Sequence, residues 1–104
     1  MFTINGKLWR VLFVDPRHSM LLKPDGTYAI GACDDNSNCI YLSNQLTGGL
    51  LRKVLCHEIT HAMMFSYNIT MSRQQEELFA ELMSKYGKNI IELTEKELKR
   101  KGRI

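Results

Sequence analysis

The sequence predicts an α+β domain: a sheet of about three strands in residues 1–46, helices in residues 47–100, and a short basic tail at 101–104. Two observations carry this expectation. Apolar residues alternate with polar ones in the first half, where turn residues break them into short runs; from about Thr47 they recur instead at steps of three and four. A length of 104 residues suits one hydrophobic core and leaves too little for a second, so a single domain is expected.

The opening MFTINGKLWRVLFV reads as strand, with its main run at residues 7–14. Asp15-Pro16 and Pro24-Asp25-Gly26 are turn signals, and residues 27–32 follow as a second strand. The polar turn DDNSN leads into a third, CIYLS, at residues 39–43. Leu50, Leu51, Val54, Leu55, Ile59, Ala62, Met63 and Phe65 then mark one face of a helix, whose start Gly48-Gly49 blurs. Ser72-Arg73-Gln74-Gln75 has the form of a capping box and opens a second helix, expected to stop near Gly87 because glycine favours helix ends. Residues 89–100 form a third segment, read either as one helix or as two pieces broken at Thr94, which with Glu97 repeats the capping-box pattern.

A composition of 44% hydrophobic and 24% charged residues is that of an ordinary globular protein, and no run is apolar enough to span a bilayer. The first residues lack the basic start, long apolar run and cleavage site of a secretory signal. Cys33, Cys39 and Cys56 are odd in number and cannot all pair, which fits a reducing compartment and free thiols. A cytoplasmic location is therefore expected, with no membrane partner. The net charge of +3 is mild, and the cations Lys96, Lys99, Arg100, Lys101 and Arg103 read as a solvated helix end suited to the negative end of the macrodipole, not as a nucleic-acid surface.

Inside the apolar helical run stands VLCHEITHAMM, in which His57, Glu58 and His61 spell H-E-x-x-H. Four residues turn a helix by about 400°, so His57 and His61 point the same way and can hold one ion. Glu58 projects about 100° from His57, beside the ion, where its carboxylate can take a proton from water as general base. Neutral imidazoles suit Zn2+ in a tetrahedral site with one open position. Chance produces this five-residue pattern in roughly a few chains per thousand of this length. Its setting in an amphipathic helix, after a strand and before an acidic helix, favours the metal site over a pair of core histidines.

A third ligand is needed, and His18, in the DPRHSM turn, is poorly placed to be it. The acidic QQEELFAELMSKYG segment supplies Glu76, Glu77 and Glu81. Glu77 is taken as the ligand, Glu76 is the alternative, and Glu81, one turn after Glu77, is the expected acceptor for the remaining N–H of a ligating histidine. Cys56 projects about 100° away from His57 and reads as a core residue.

From CIYLS through VLCHEITHAMM to EELFAELMSKYG, about half the chain, the sequence resembles the small gluzincin-type metallopeptidases, especially the ImmA/IrrE-like group and the minigluzincins. In their pattern the third ligand opens E-x-x-x-D; here Glu77 opens it and Glu81 stands in the aspartate's place. The resemblance implies a minimal zincin fold, in which a sheet packs on the active-site helix. It further implies that an edge strand, here Ile40, Tyr41 and Leu42, aligns a peptide or protein substrate antiparallel to itself by strand addition. Larger gluzincins place a histidine or tyrosine downstream to stabilise the oxyanion; no histidine follows His61, so Tyr67 and Tyr86 are the available donors. The expected function is zinc-dependent endopeptidase, with a catalytically inactive, zinc-stabilised protein-binding or regulatory module as the alternative.

Overall fold

In the computed structural model, which describes residues 1–102, the chain is α+β, with a four-stranded mixed sheet followed by two helices. The strands are β1 (Phe2–Ile4), β2 (Lys7–Val14), β3 (Gly31–Asp34) and β4 (Cys39–Ser43), arranged β1-β2-β4-β3 across the sheet. A 3-10 turn, Ser19–Leu21, lies on the long connection from β2 to β3. The helices are α1 (Gly48–Ser66) and α2 (Arg73–Arg100). Of the basic tail at 101–104, residues 103 and 104, and with them Arg103, lie outside the described residues.

Local chemistry explains the turns. Asn5 and Gly6 both take positive φ, 49° and 77°, the conformation of the tight hairpin turn that Asn-Gly favours, and they join β1 to β2 antiparallel. In the DDNSN turn the Asp34 carboxylate accepts from the Asn36 N–H and from the Ser37 hydroxyl, which closes β3 onto β4. β2 and β4 run parallel, with Val11 opposite Ile40 and Phe13 opposite Leu42. This register puts Trp9, Ile40 and Leu42 on one face, where Ala62 of α1 and Leu46 complete the core with Ile4. The Trp9 indole donates to Ser66 Oγ at 2.9 Å and Asn5 donates to the Ser66 carbonyl at 3.0 Å, so the end of α1 is tied to the β1–β2 hairpin. The buried tryptophan thus has its polar end satisfied.

Four details depart from the sequence reading. The N-terminal segment is two strands, split by the Asn5-Gly6 turn. The second expected strand is shifted to Gly31–Asp34 and is β3. Strand β4, expected as the edge carrying Ile40, Tyr41 and Leu42, is bonded to β2 on one side and β3 on the other; the edge beside α1 is β3. Ile40 and Leu42 are fully buried, so the apolar run in CIYLS reflects an interior strand with both ladders filled. Lastly, α2 does not stop at Gly87. That glycine is buried within the helix beside the Met83 side chain, and Thr94 donates to the Ile90 carbonyl from within the helix instead of capping a new one.

The capping box at Ser72 and Gln75 forms with both reciprocal bonds in place. A helix of 28 residues is about 42 Å long, which accounts for most of the molecule's 52 Å long axis. Among the described residues, no helix is long and apolar enough to cross a membrane.

Candidate metal centre

Helices α1 and α2 are joined by a short connection and pack against each other antiparallel, so the middle of α1 faces the first turns of α2. His57 and His61 point out of α1 toward Glu77 of α2. Their Nε2 atoms are 3.3 Å apart, and the Glu77 carboxylate lies 3.4 Å from His57 Nε2 and 3.0 Å from His61 Nε2. One ligand atom from each residue lies within 4.8 Å of the others. Ligand atoms about 2.0–2.2 Å from a tetrahedral ion are separated by about 3.3–3.5 Å; the 3.3 Å and 3.4 Å contacts have that length, and the 3.0 Å contact, made by the other Glu77 oxygen, is shorter.

The far nitrogens are held by two more acids of α2. Glu76 Oε1 is 2.7 Å from His61 Nδ1, a short charge-assisted hydrogen bond, and Glu81 Oε2 is 3.6 Å from His57 Nδ1, an ion-pair distance. A carboxylate selects the tautomer in which Nδ1 carries the proton, which leaves both Nε2 lone pairs aimed at each other and at Glu77. Three electron-rich atoms converging in this way repel unless a cation lies between them. All four ring nitrogens face side-chain oxygens or each other, with no bond to backbone, unlike histidines used as core filler. The donor set fits Zn2+.

Glu58 is 7% exposed, packs against Gly31 of β3 and lines the same cleft as the ligand triad. Burial pushes its carboxyl up to about 7; the nearby His61 pulls it down and Glu77 adds to the rise. Gly31 makes room for it, since a Cβ there would stand 3.2 Å from Glu58 Oε2 and only 2.6 Å from Val54 Cγ1. Gly31→Ala is therefore expected to force β3 off α1 and cost about 1–3 kcal/mol of stability, read as a lower urea midpoint; an unchanged midpoint would show that the strand yields freely.

Clefts open on both sides of these residues along β3. The larger, of about 790 Å³, passes Met20, Leu21, Cys33, Phe65, Met71 and Arg73; the smaller, of about 420 Å³, follows Tyr28, Ile30, Leu50, Lys53 and Val54. His57 and Glu58 line both. The outer side of β3 makes no backbone hydrogen bond among the described residues.

The structure thus brings together His57, Glu58, His61, Glu77 and Glu81, and leaves Ile40, Tyr41 and Leu42 outside the clefts. Tyr67 and Tyr86, the expected oxyanion donors, line neither cleft; the tyrosine that does is Tyr28. His18 caps the 3-10 turn and stacks on Tyr41. Cys56 donates to the Met83 carbonyl between the helices, and Cys33 lines the larger cleft as a free thiol pushed up to about 12, chiefly by burial and then by Glu58. Glu76, the alternative ligand of the sequence reading, instead bonds Nδ1 of His61 from across the helix pair, while Gly31 escaped that reading, its only signal being a glycine entering a strand. No protein family model, curated protein or solved structure matches this chain.

Proposed function

We propose that this protein is a zinc-dependent peptidase of the gluzincin type, with His57, His61 and Glu77 holding the ion and Glu58 acting as general base. The observation that carries the reading is the convergence of two imidazole lone pairs and a carboxylate at coordination spacing, beside a buried acid that opens onto the same cleft. Zinc, when bound, supplies Lewis acidity that polarises a carbonyl and makes water a better nucleophile. The chain's own residues do the rest. Glu58, whose proton affinity burial has raised toward neutrality, takes a proton from the attacking water and returns it to the leaving amine. Glu76 and Glu81 fix the rings of His61 and His57 by accepting at Nδ1. The free outer edge of β3, residues 31–34, takes the role first expected of Ile40, Tyr41 and Leu42: it offers unpaired backbone groups to an extended substrate segment, which positions the scissile amide over the ligand triad.

Metal analysis tests the ligand set. The purified chain is expected to carry about one zinc, lost on Glu77→Ala; Glu76→Ala and Glu81→Ala are expected to keep a site weakened roughly 10–100-fold, as for removal of an outer hydrogen-bond partner. Zinc retained in full by Glu77→Ala and lost with Glu76→Ala would transfer the ligand role to Glu76. A chain that binds no zinc would end the proposal.

A further inference from the structure

The face of α2 turned away from α1 is apolar and exposed. Toward α1 the helix presents Ala80, which is fully buried, and the acids Glu76, Glu77 and Glu81, which reach His57 and His61. A step of about 100° per residue places Phe79, Leu82, Tyr86 and Leu93 within about 60° of one another, roughly 100–160° round the helix from Ala80. None of them lines a cleft. Leu78, Phe79, Leu82, Tyr86, Ile90 and Leu93 are between 43% and 69% exposed. With about 200 Å² to each such side chain, they leave roughly 600 Å² of apolar surface along one helix, at the upper end of the largest patch that an ordinary monomer shows.

The spacing says what fits there. Phe79, Leu82, Tyr86, Asn89, Leu93 and Lys96 follow one another at steps of three, four, three, four and three, the seam of a two-helix coil. This seam is self-complementary when a second α2 lies against it antiparallel, about a centre between residues 87 and 88. Leu82 then meets Leu93 of the second copy, and Tyr86 meets its Asn89, whose amide can bond the phenol. On the flanks Met83 meets Ile90, and Lys85 meets Glu92, of the second copy, each pair formed twice about the two-fold axis. The stem of Lys96 crosses the Phe79 ring at either end. Lys85 and Glu92 already have partners one turn away within α2, at 3.6 and 3.7 Å, so the pairs between copies fix register more than they add strength. Covering the patch on both copies removes roughly 1,200 Å² in total, the lower bound of a stable specific interface, before the polar flanks are added. We propose that the protein is a dimer in which two copies of α2 pack antiparallel through this face. The α2 residues that line the clefts are Arg73, Glu76, Glu77, Glu81 and Ser84, so the seam and the clefts share no residue.

Sedimentation equilibrium of the full-length chain tests this at about 200 μM, where even a micromolar interface is closed. The expected mass is twice that of one chain. Leu82→Glu puts an unpaired charge into each half of the seam and is expected to raise the dissociation constant by at least about 100-fold, with the far-ultraviolet circular dichroism of the parent retained. Lys85→Glu sets like charges opposite each other and should weaken association roughly tenfold; Glu92→Lys should do the same, and the double variant should restore it. A parallel pair does not bring residues 85 and 92 together, so this rescue identifies the antiparallel register. A mass of one chain at that concentration, an open series of larger species, or a dimer unaffected by Leu82→Glu would overturn the proposal. Single and double charge variants that associate alike would also overturn it. A monomer that floats with phosphatidylcholine vesicles would assign the face to a lipid surface instead. None of these outcomes bears on the zinc centre, whose metal content is read separately.

Discussion

Glu58→Gln is expected to leave the zinc content of the protein at about one ion per chain and to lower peptide hydrolysis by roughly 10²–10⁴-fold, the range that loss of a general base produces. Glutamine keeps the shape of the side chain and its place against Gly31, but it cannot accept and return a proton. The ligand triad does not include Glu58, so metal and chemistry are separable here. Labelled casein, an unstructured substrate, gives the rate, and atomic absorption gives the metal. Unreduced hydrolysis in the variant would remove Glu58 from the mechanism. Zinc bound equally by both proteins with no hydrolysis by either would favour a zinc-stabilised binding module.

The same substitution has a large expected effect on the metal-free protein, with a sign fixed by linkage. Glu58 is raised from 4.5 to about 7 in the folded state, mainly by burial. Between those values the folded chain keeps the proton that the unfolded chain has released, so raising the pH favours unfolding across this interval and adds little beyond it. The loss is on the order of 2–3 kcal/mol. Urea unfolding with a chelator present, at half-unit steps from pH 4.5 to 8, should show this decline. Glu58→Gln should flatten it and leave the variant more stable than the unsubstituted chain at pH 7.5. Parallel stability curves for the two proteins would mean that Glu58 ionises in the folded state as readily as in water.

Much of this arrangement was legible in the residues. The strands at 7–14 and 39–43 and the capping box at Ser72 follow from alternation and from side chains that bond their own backbone, which are local effects. His57, Glu58 and His61 were legible for the same reason, since one turn of helix fixes their relation. What could not be read depended on partners distant in sequence. That β4 is interior depends on β2 pairing with it in parallel across the long intervening connection, which the apolar run in CIYLS allows but does not specify. Gly87 looked like a stop because its helix-ending tendency is intrinsic, yet α2 runs through it to Arg100, since one glycine costs a helix interior only about 1 kcal/mol relative to alanine. Glu76, Glu77 and Glu81 were all in view, but only the packing of α2 on α1 distributes them among the two rings and the ligand position.

That packing also separates two events in the life of the chain. The three candidate ligands sit on neighbouring helices joined by a short connection, so an ion can cross-link α1 and α2 as soon as that hairpin collapses. The seclusion of Glu58 against Gly31 waits for the slower parallel pairing of the sheet. On the peptidase reading, a chain whose helical hairpin had formed without its sheet would already hold the ion, whereas hydrolysis would need β3 docked on α1 as well.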